Sequence, residues 1–217
     1  MKEAVILVHG IWLNGAEMWR LRQHLTAAGY DCHVFKYSSL KSSPADNAEK
    51  LAHFSRTINA PVRHFVCHSL GGLVLLHLFD KHLIQKPGRI VFLGTPVNGS
   101  VVAQRLYKRR ITRWMLGRSV ENGLLGDRPV WMKWRDLGII AGSLPLGVGM
   151  FIGGLQTPHD GTVEVEETYL GGATDYIIMP VSHFGLLYSP RVATQVITFL
   201  RAGKFGDEAT NLLLDPT

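Results

Sequence analysis

A serine held between small residues where a strand turns sharply into a helix is placed to act as a nucleophile. The run Cys67-His68-Ser69-Leu70-Gly71 has that form. It follows the pattern G-x-S-x-G except that Cys67 stands at the first glycine. The turn needs small residues two positions either side because the helix folds back over the strand, and cysteine is small. It would leave the Ser69 hydroxyl free on a strained backbone, with the positive end of the following helix dipole facing any anion formed there. The same five residues also fit a glycine-rich turn carrying an incidental serine. A serine hydroxyl needs a base near neutral pH, and histidine suits that role. His183, in Pro180-Val181-Ser182-His183-Phe184-Gly185, falls in the loop between the last predicted strand and the final helix. His24, His53, His77 and His82 fall on predicted helices, His33 and His64 on strands. The acids that could orient such a base are Asp160 before Gly161, Asp136, Glu164 and Asp175. An aspartate before glycine is also an ordinary turn former. Asp175 reads as the start of a strand, and Asp136 precedes another, on the opposite edge of the sheet.

The elements that must position these residues are legible as short β-branched runs alternating with helical periodicity, the pattern of parallel βαβ units. Strands are predicted over Val5–Val8, Cys32–Tyr37, Arg63–Cys67, Arg89–Leu93, Leu137–Ala141 and Asp175–Met179. A helix near Ala16–Ala28 carries Met18, Leu21, Leu25 and Ala28 at gaps of three and four and stops at Gly29. Ser43-Pro44 opens a second helix running to about Ile58. The run Leu73–Phe79 is apolar all round, as a helix buried against a sheet would be. Residues 100–136 are helical in part and hold nine of the 23 Lys and Arg residues. A last amphipathic helix covers Arg191–Leu200, and the residues after Gly203 read as a loosely held tail.

Length and composition bound what these elements can build. A chain of 217 residues with 46% hydrophobic and 18% charged residues is long enough for one substantial core, and no repeat or linker divides it. The formal net charge is +6. Neither zinc-finger spacing nor an aromatic-and-basic RNA-binding signature accompanies that charge, so nucleic acid is not an expected partner. The apolar run Ala4–Val8 is too short for a signal-peptide core. The stretch Leu137–Leu155 is broken by glycines and Pro145, and reads as strand and loop rather than a membrane span. Cys32 and Cys67 read as reduced, buried residues of a cytoplasmic protein, a single disulfide being the alternative.

Several motifs together resemble the α/β-hydrolase superfamily, in particular its small bacterial-type lipases and esterases, with some likeness to deacylases of glycosylphosphatidylinositol anchors. They are Val8-His9-Gly10, His68-Ser69-Leu70-Gly71-Gly72, Leu93-Gly94-Thr95-Pro96 with Gly99-Ser100, Asp160-Gly161-Thr162-Val163 and Ser182-His183. They span nearly the whole chain. The order serine, aspartate, histidine is that of this superfamily. The resemblance implies an α/β-hydrolase fold with a mostly parallel six-stranded sheet and helices on both faces. It would be a minimal version, without the first strands and without a large cap, forming one domain over 1–217 with room for a lid only in 100–136. It implies a triad of Ser69, Asp160 and His183, an oxyanion hole from the backbone N–H groups of Ile11 and Leu70, and acyl-pocket candidates in Trp12 and Val97. His9 reads as a structural hydrogen-bonder. The Leu-Gly-Thr-Pro run is followed here by Val97-Asn98-Gly99-Ser100 where the family usually has His-x-Gly-Ser, a change beside the acyl pocket.

The implied reaction is hydrolysis of carboxylic esters through an acyl-enzyme, with a small-molecule or lipid ester as substrate and no metal or organic cofactor. Thioester hydrolysis or acyl transfer would use the same triad, and a catalytically silent binding module would keep the same fold. A helix over Ala103–Leu116 would set Ala103, Tyr107, Ile111, Trp114 and Met115 on one face and Arg105, Arg109 and Arg113 on another. That pattern fits an ordinary helix packed on the sheet, and also a peripheral contact with an anionic membrane.

Overall fold

The computed structural model describes residues 2–82 and 85–207. Six strands, β1 (Ala4–Val8), β2 (Asp31–Phe35), β3 (Arg63–His68), β4 (Ile90–Leu93), β5 (Leu137–Gly142) and β6 (Asp175–Met179), form one parallel sheet in the order β2-β1-β3-β4-β5-β6. The continuously apolar runs take the central places and are buried on both faces, whereas β2 and β6, at the edges, are partly exposed. The register sets Val8 beside Cys67, His68 beside Leu93, and Leu93 beside Ile140. The C-terminal ends of four neighbouring strands therefore finish side by side, where ligands bind in open α/β sheets.

Helices cover both faces. On one side α2 (Pro44–Thr57), α3 (Leu70–Lys81) and α4 (Val101–Lys108) close a core around Ile6, Val8, Phe65, Phe92 and Ile139. On the other, α1 (Trp19–Ala27) and, further along the chain, α6 (Gly185–Tyr188) and α7 (Pro190–Ala202) close a core around Val5, Leu7, Val66, Val91 and Ile140. Cys67 belongs to the first core and Cys32 to the second; both are free thiols, separated by the sheet. Helix starts follow their capping residues: Ser43 and Asp46 form a reciprocal capping box at α2, and Ser189 caps α7, each followed by proline. Among the described residues no helix is long and apolar enough to cross a membrane.

Four details differ from the sequence-based expectations. Helix α3 begins at Leu70, directly after the serine, rather than at Leu73. The stretch expected to be strand and loop contains one helical turn, α5 (Gly149–Ile152). Past Gly203, Phe205 is buried against Phe199, and its N–H donates to Asp175; residues 208–217 of the expected tail lie outside the described residues. The helix expected over Ala103–Leu116 ends at Lys108, because Arg109 is extended and side chains take the carbonyls that a longer helix would need. The Thr112 hydroxyl donates to Leu106 O at 2.8 Å, and Arg113 Nε donates to Tyr107 O at 3.2 Å. Two short 3-10 turns, Arg113–Met115 and Gly117–Val120, follow instead.

The close crossing of α3 over β1 rests on Gly71. A Cβ there would meet the Val8 carbonyl oxygen at 2.4 Å and that of His9 at 2.8 Å, both backbone atoms that cannot step aside. Helix propensity favours alanine over glycine by about 1 kcal/mol, but overpacking against backbone typically costs about 1–3 kcal/mol or more. Because the clash is with backbone, the upper end of that range applies, and Gly71→Ala is expected to destabilise the protein by about 2 kcal/mol net in urea unfolding. Gly171→Ala, where a Cβ would meet nothing, should leave the midpoint unchanged. Equal midpoints for the two variants would refute the close-packing account.

Candidate active site

Ser69 sits between the last residue of β3 and the first of α3 with φ 52° and ψ −123°, a left-handed conformation that a non-glycine residue holds only under constraint. Its N–H donates to Leu93 O of β4 at 2.9 Å, tying the strained turn into the sheet. Gly10 presses on it from the loop after β1: a Cβ on Gly10 would lie 3.1 Å from Ser69 Cβ. The backbone N–H groups of Ile11 and Leu70 donate to no protein group among the described residues. Leu70 opens α3, so its amide sits at the positive end of that helix. Cys67, at the position of the missing glycine, is fully buried in the core, and burial pushes its thiol pKa well up. It packs as a small apolar residue.

Asp160 and His183 come from the loops after β5 and β6 and meet at 2.6 Å, Asp160 Oδ2 to His183 Nδ1, with both side chains buried. Asp160 Oδ1 also accepts from the amides of Thr162 at 2.9 Å and Val163 at 2.7 Å, and its carbonyl accepts from His183 N at 2.9 Å. A carboxylate only accepts, so Nδ1 donates in this bond and Nε2 is the ring nitrogen left over. Gly94 and Gly142 make room for the pair. A Cβ on Gly94 would stand 3.1 Å from both Asp160 Oδ2 and His183 Nδ1, and one on Gly142 would stand 2.7 Å from Asp160 Cβ.

The other acids are engaged elsewhere. Asp175 accepts from Phe205 and Asp136 from Arg89, both at the opposite end of the sheet. Glu164 accepts from Gln156 N. His9 is structural: its Nδ1 donates to Gly10 O, its Nε2 accepts from Tyr37 N, and burial depresses its pKa.

Ser69, Ile11, Trp12 and Thr162 line two adjoining clefts. One, of about 340 Å³, runs between Pro96, Ala103, Leu106, Leu116 and Leu124, under α4. The other, of about 450 Å³, is bounded by Gly10, Leu13, His68, Val148, His183 and Phe184. Both walls are mainly apolar, and the polar groups converge at Ser69. Trp12 lies between the clefts, with its indole N–H donating to Met115 O at 2.6 Å. Val97 lines neither, contrary to its expected place in an acyl pocket. A tight turn, with Val97 N donating to Thr95 O and Gly99 N to Pro96 O, sends Val97 into the core and leaves Pro96 facing the cleft. Much of 100–136 packs down, with Leu106, Leu116, Leu124 and Trp131 buried.

Two further residues shape the site without having stood out in the sequence. His68 Nε2 donates to His183 O at 3.1 Å, and the two rings lie 4.6 Å apart. Burial, reinforced by His183, holds its pKa well below the ordinary value. Glu167 joins the two sides of the cleft. Its carboxylate accepts from Val101 N, at the start of α4, at 2.5 Å and from Glu164 N, in the Asp160 loop, at 3.0 Å. No motif marks it; its importance comes from the fold bringing 101 and 164 to one carboxylate.

A family model described as "Alpha/beta hydrolase family" matches residues 5–203. No curated protein sequence matches the chain. Among solved structures it is similar to the mature form of the Bacillus licheniformis lipase BlEst2, at 20% identity and a TM-score of 0.74, over 93% of this chain and 92% of that one. It is also similar to the carboxylesterase CesB from Bacillus subtilis, at 12% identity and a TM-score of 0.62, over 93% and 84% of the two chains. A metagenomic carboxyl esterase, MGS0156, aligns at 15% identity and a TM-score of 0.62, over 93% and 74%.

Glu167 gives the site a pH-dependent element. Burial, with smaller contributions from Glu164 and Asp160, raises its carboxyl from 4.5 to about 7. The folded state therefore holds an extra proton between those values, and this contribution to stability is lost as pH rises through about 7. Glu167→Gln removes the titration and one of the two amide bonds. The wild type's advantage over the variant in unfolding free energy is expected to shrink by up to about 3 kcal/mol as pH rises from about 5 to about 8. Parallel stability curves for the two proteins would show that Glu167 does not titrate in that range.

Proposed function

The chain belongs to the alpha/beta hydrolase family, and from that premise we propose that it hydrolyses carboxylic esters through a covalent acyl-enzyme on Ser69. One observation supports the reading above the others: the 2.6 Å hydrogen bond between Asp160 and His183, in a cleft that Ser69 also lines. The bond fixes the imidazole with its proton on Nδ1, which is the tautomer a general base needs.

In the first half-reaction the Ser69 hydroxyl proton passes to His183 Nε2 as Oγ bonds to the ester carbonyl carbon. The oxygen gains negative charge facing the amides of Ile11 and Leu70, whose N–H groups have no other acceptor among the described residues. Collapse of the tetrahedral species breaks the bond to the alkoxy oxygen, and the proton on His183 goes to that oxygen. Water then repeats the sequence on the acyl-enzyme, releasing the acid and restoring Ser69. The leaving alcohol has to reach the proton on His183, so it occupies the cleft that His183 lines. The acyl chain takes the apolar cleft under α4. Pro96, Ala103, Leu106 and Leu124 make most of that cleft apolar, and no charged side chain lines it with which to recognise a charged acid portion.

Ser69→Ala is expected to lower p-nitrophenyl butyrate hydrolysis by about 10³-fold or more, and to abolish labelling by a fluorophosphonate probe. Asp160→Asn should lower kcat by a comparable factor by favouring the wrong imidazole tautomer. Retention of most activity by Ser69→Ala would overturn the assignment of the nucleophile. A wild type that neither turns over the ester nor takes the probe would overturn the hydrolase reading itself.

A further inference from the structure

The segments flanking the cleft mouth are unusual in both charge and exposure. From Ser100 to Val120 the sequence has no acidic residue and six basic ones. Arg118 pairs with Asp46 and Glu121, while Arg105, Lys108, Arg109, Arg110 and Arg113 form no ion pair among the described residues. From Ser143 to Gln156 there is no charged residue. The end of α4 at Lys108 turns out side chains that a continuous helix would have set on the face of Ala103. Ile111 is 81% exposed and Trp114 75% exposed. Across α4, the turn of α5 leaves Phe151 92% exposed with Met150 beside it.

These groups belong to one rim. The Arg105 guanidinium lies against the backbone of Gly154, joining α4 to the loop after α5. Trp12, which lines both clefts, is bonded to Met115 O next to Trp114. Val148, just before α5, lines the same cleft as His183. Arg113 stacks on Tyr107 at 4.0 Å, which keeps a cation at the foot of the exposed Ile111–Trp114 pair.

We infer that this rim docks on an anionic lipid surface, with Ile111, Trp114 and Phe151 entering the headgroup–acyl boundary and the basic residues of 105–113 meeting the anionic headgroups. Exposed aromatic and aliphatic side chains bordered by unpaired cations suit that interface and are otherwise a liability. A second copy of the chain is a poor occupant, because a two-fold contact would press this basic rim against itself. A bound protein would close the mouth, whereas a lipid surface can supply ester molecules through it. The inference deepens the ester-hydrolase reading by naming esters held in anionic lipid as its substrates. Docking itself does not require that reading to hold.

Cosedimentation with sucrose-loaded vesicles tests this directly, using phosphatidylglycerol against phosphatidylcholine and low against high salt. The wild type is expected to bind the phosphatidylglycerol vesicles at least about tenfold more strongly and to be released by salt. The triple variant Ile111→Ser, Trp114→Ser, Phe151→Ser should lose about tenfold or more in binding while keeping wild-type hydrolysis of soluble p-nitrophenyl butyrate. Arg109→Glu with Arg110→Glu should remove the preference for the anionic vesicle. Absence of wild-type binding, binding equal for both lipids, or an unimpaired triple variant would each overturn the inference. So would a wild-type dimer that the triple variant dissociates in sedimentation velocity, since the rim would then be covered by a second copy. Loss of soluble-ester hydrolysis in the wild type is read separately, because it bears on the proposed reaction and not on docking.

Discussion

The candidate site depends on how closely helix α3 lies against the end of strand β1. Side chains at positions 71 and 72 would collide with the Val8 carbonyl and with Thr95, so glycine at both lets the helix axis drop onto the sheet. A helix that close must leave β3 through a turn too tight for ordinary backbone angles, and Ser69 takes the strain at φ 52°. Three features follow from this one packing constraint. The serine stands at the apex of the turn, Leu70 presents an unshared amide at the positive end of α3, and the end of β1 is held against the serine so that the amide of Ile11 borders the same cleft. The two amides and the serine with the strained backbone are parts of a single junction.

Three acids close to one another illustrate how surroundings divide chemical roles. Asp160 accepts from two backbone amides on one oxygen and from His183 on the other, so its carboxylate is both satisfied and aimed. Glu164 is committed to the backbone of Gln156. Glu167 accepts two amides, yet no cation faces it among its partners, and burial outweighs the hydrogen bonds. The result is a carboxyl near neutral pKa at the point where α4 and the loop bearing Asp160 are joined. Apolar residues line the clefts, while the polar groups that fix their geometry lie behind them.

Much of this was legible in the sequence because it rests on local pattern. Continuous apolar runs marked the central strands, the small-residue spacing around Ser69 marked the junction, and His183 stood out by its place after the last strand. Cys67 blurred the serine motif in one-letter terms, but its buried thiol fills the position much as an apolar residue would. What pattern did not carry was tertiary in origin. Glu167 serves amides of residues 101 and 164, and no spacing rule records that meeting. Pro96 rather than the expected Val97 faces the cleft because of one turn after β4, which decides which of two adjacent residues lines it.

The stretch 103–116 shows the same limit more sharply. Its apolar periodicity is that of one amphipathic helix, but periodicity reports only which residues could share a face. It does not report whether the backbone stays helical. Arg109 turns extended, Thr112 and Arg113 take the last carbonyls of the helix, and Trp12 bonds to Met115 O beyond the break. The Trp12 bond forms beyond the point where the helix ends at Lys108. The cost of the break is that Ile111 and Trp114 face water rather than the core. The gain is a rim tied to the residue that lies between the two clefts, so the geometry of the mouth and that of the site are coupled through a single indole hydrogen bond.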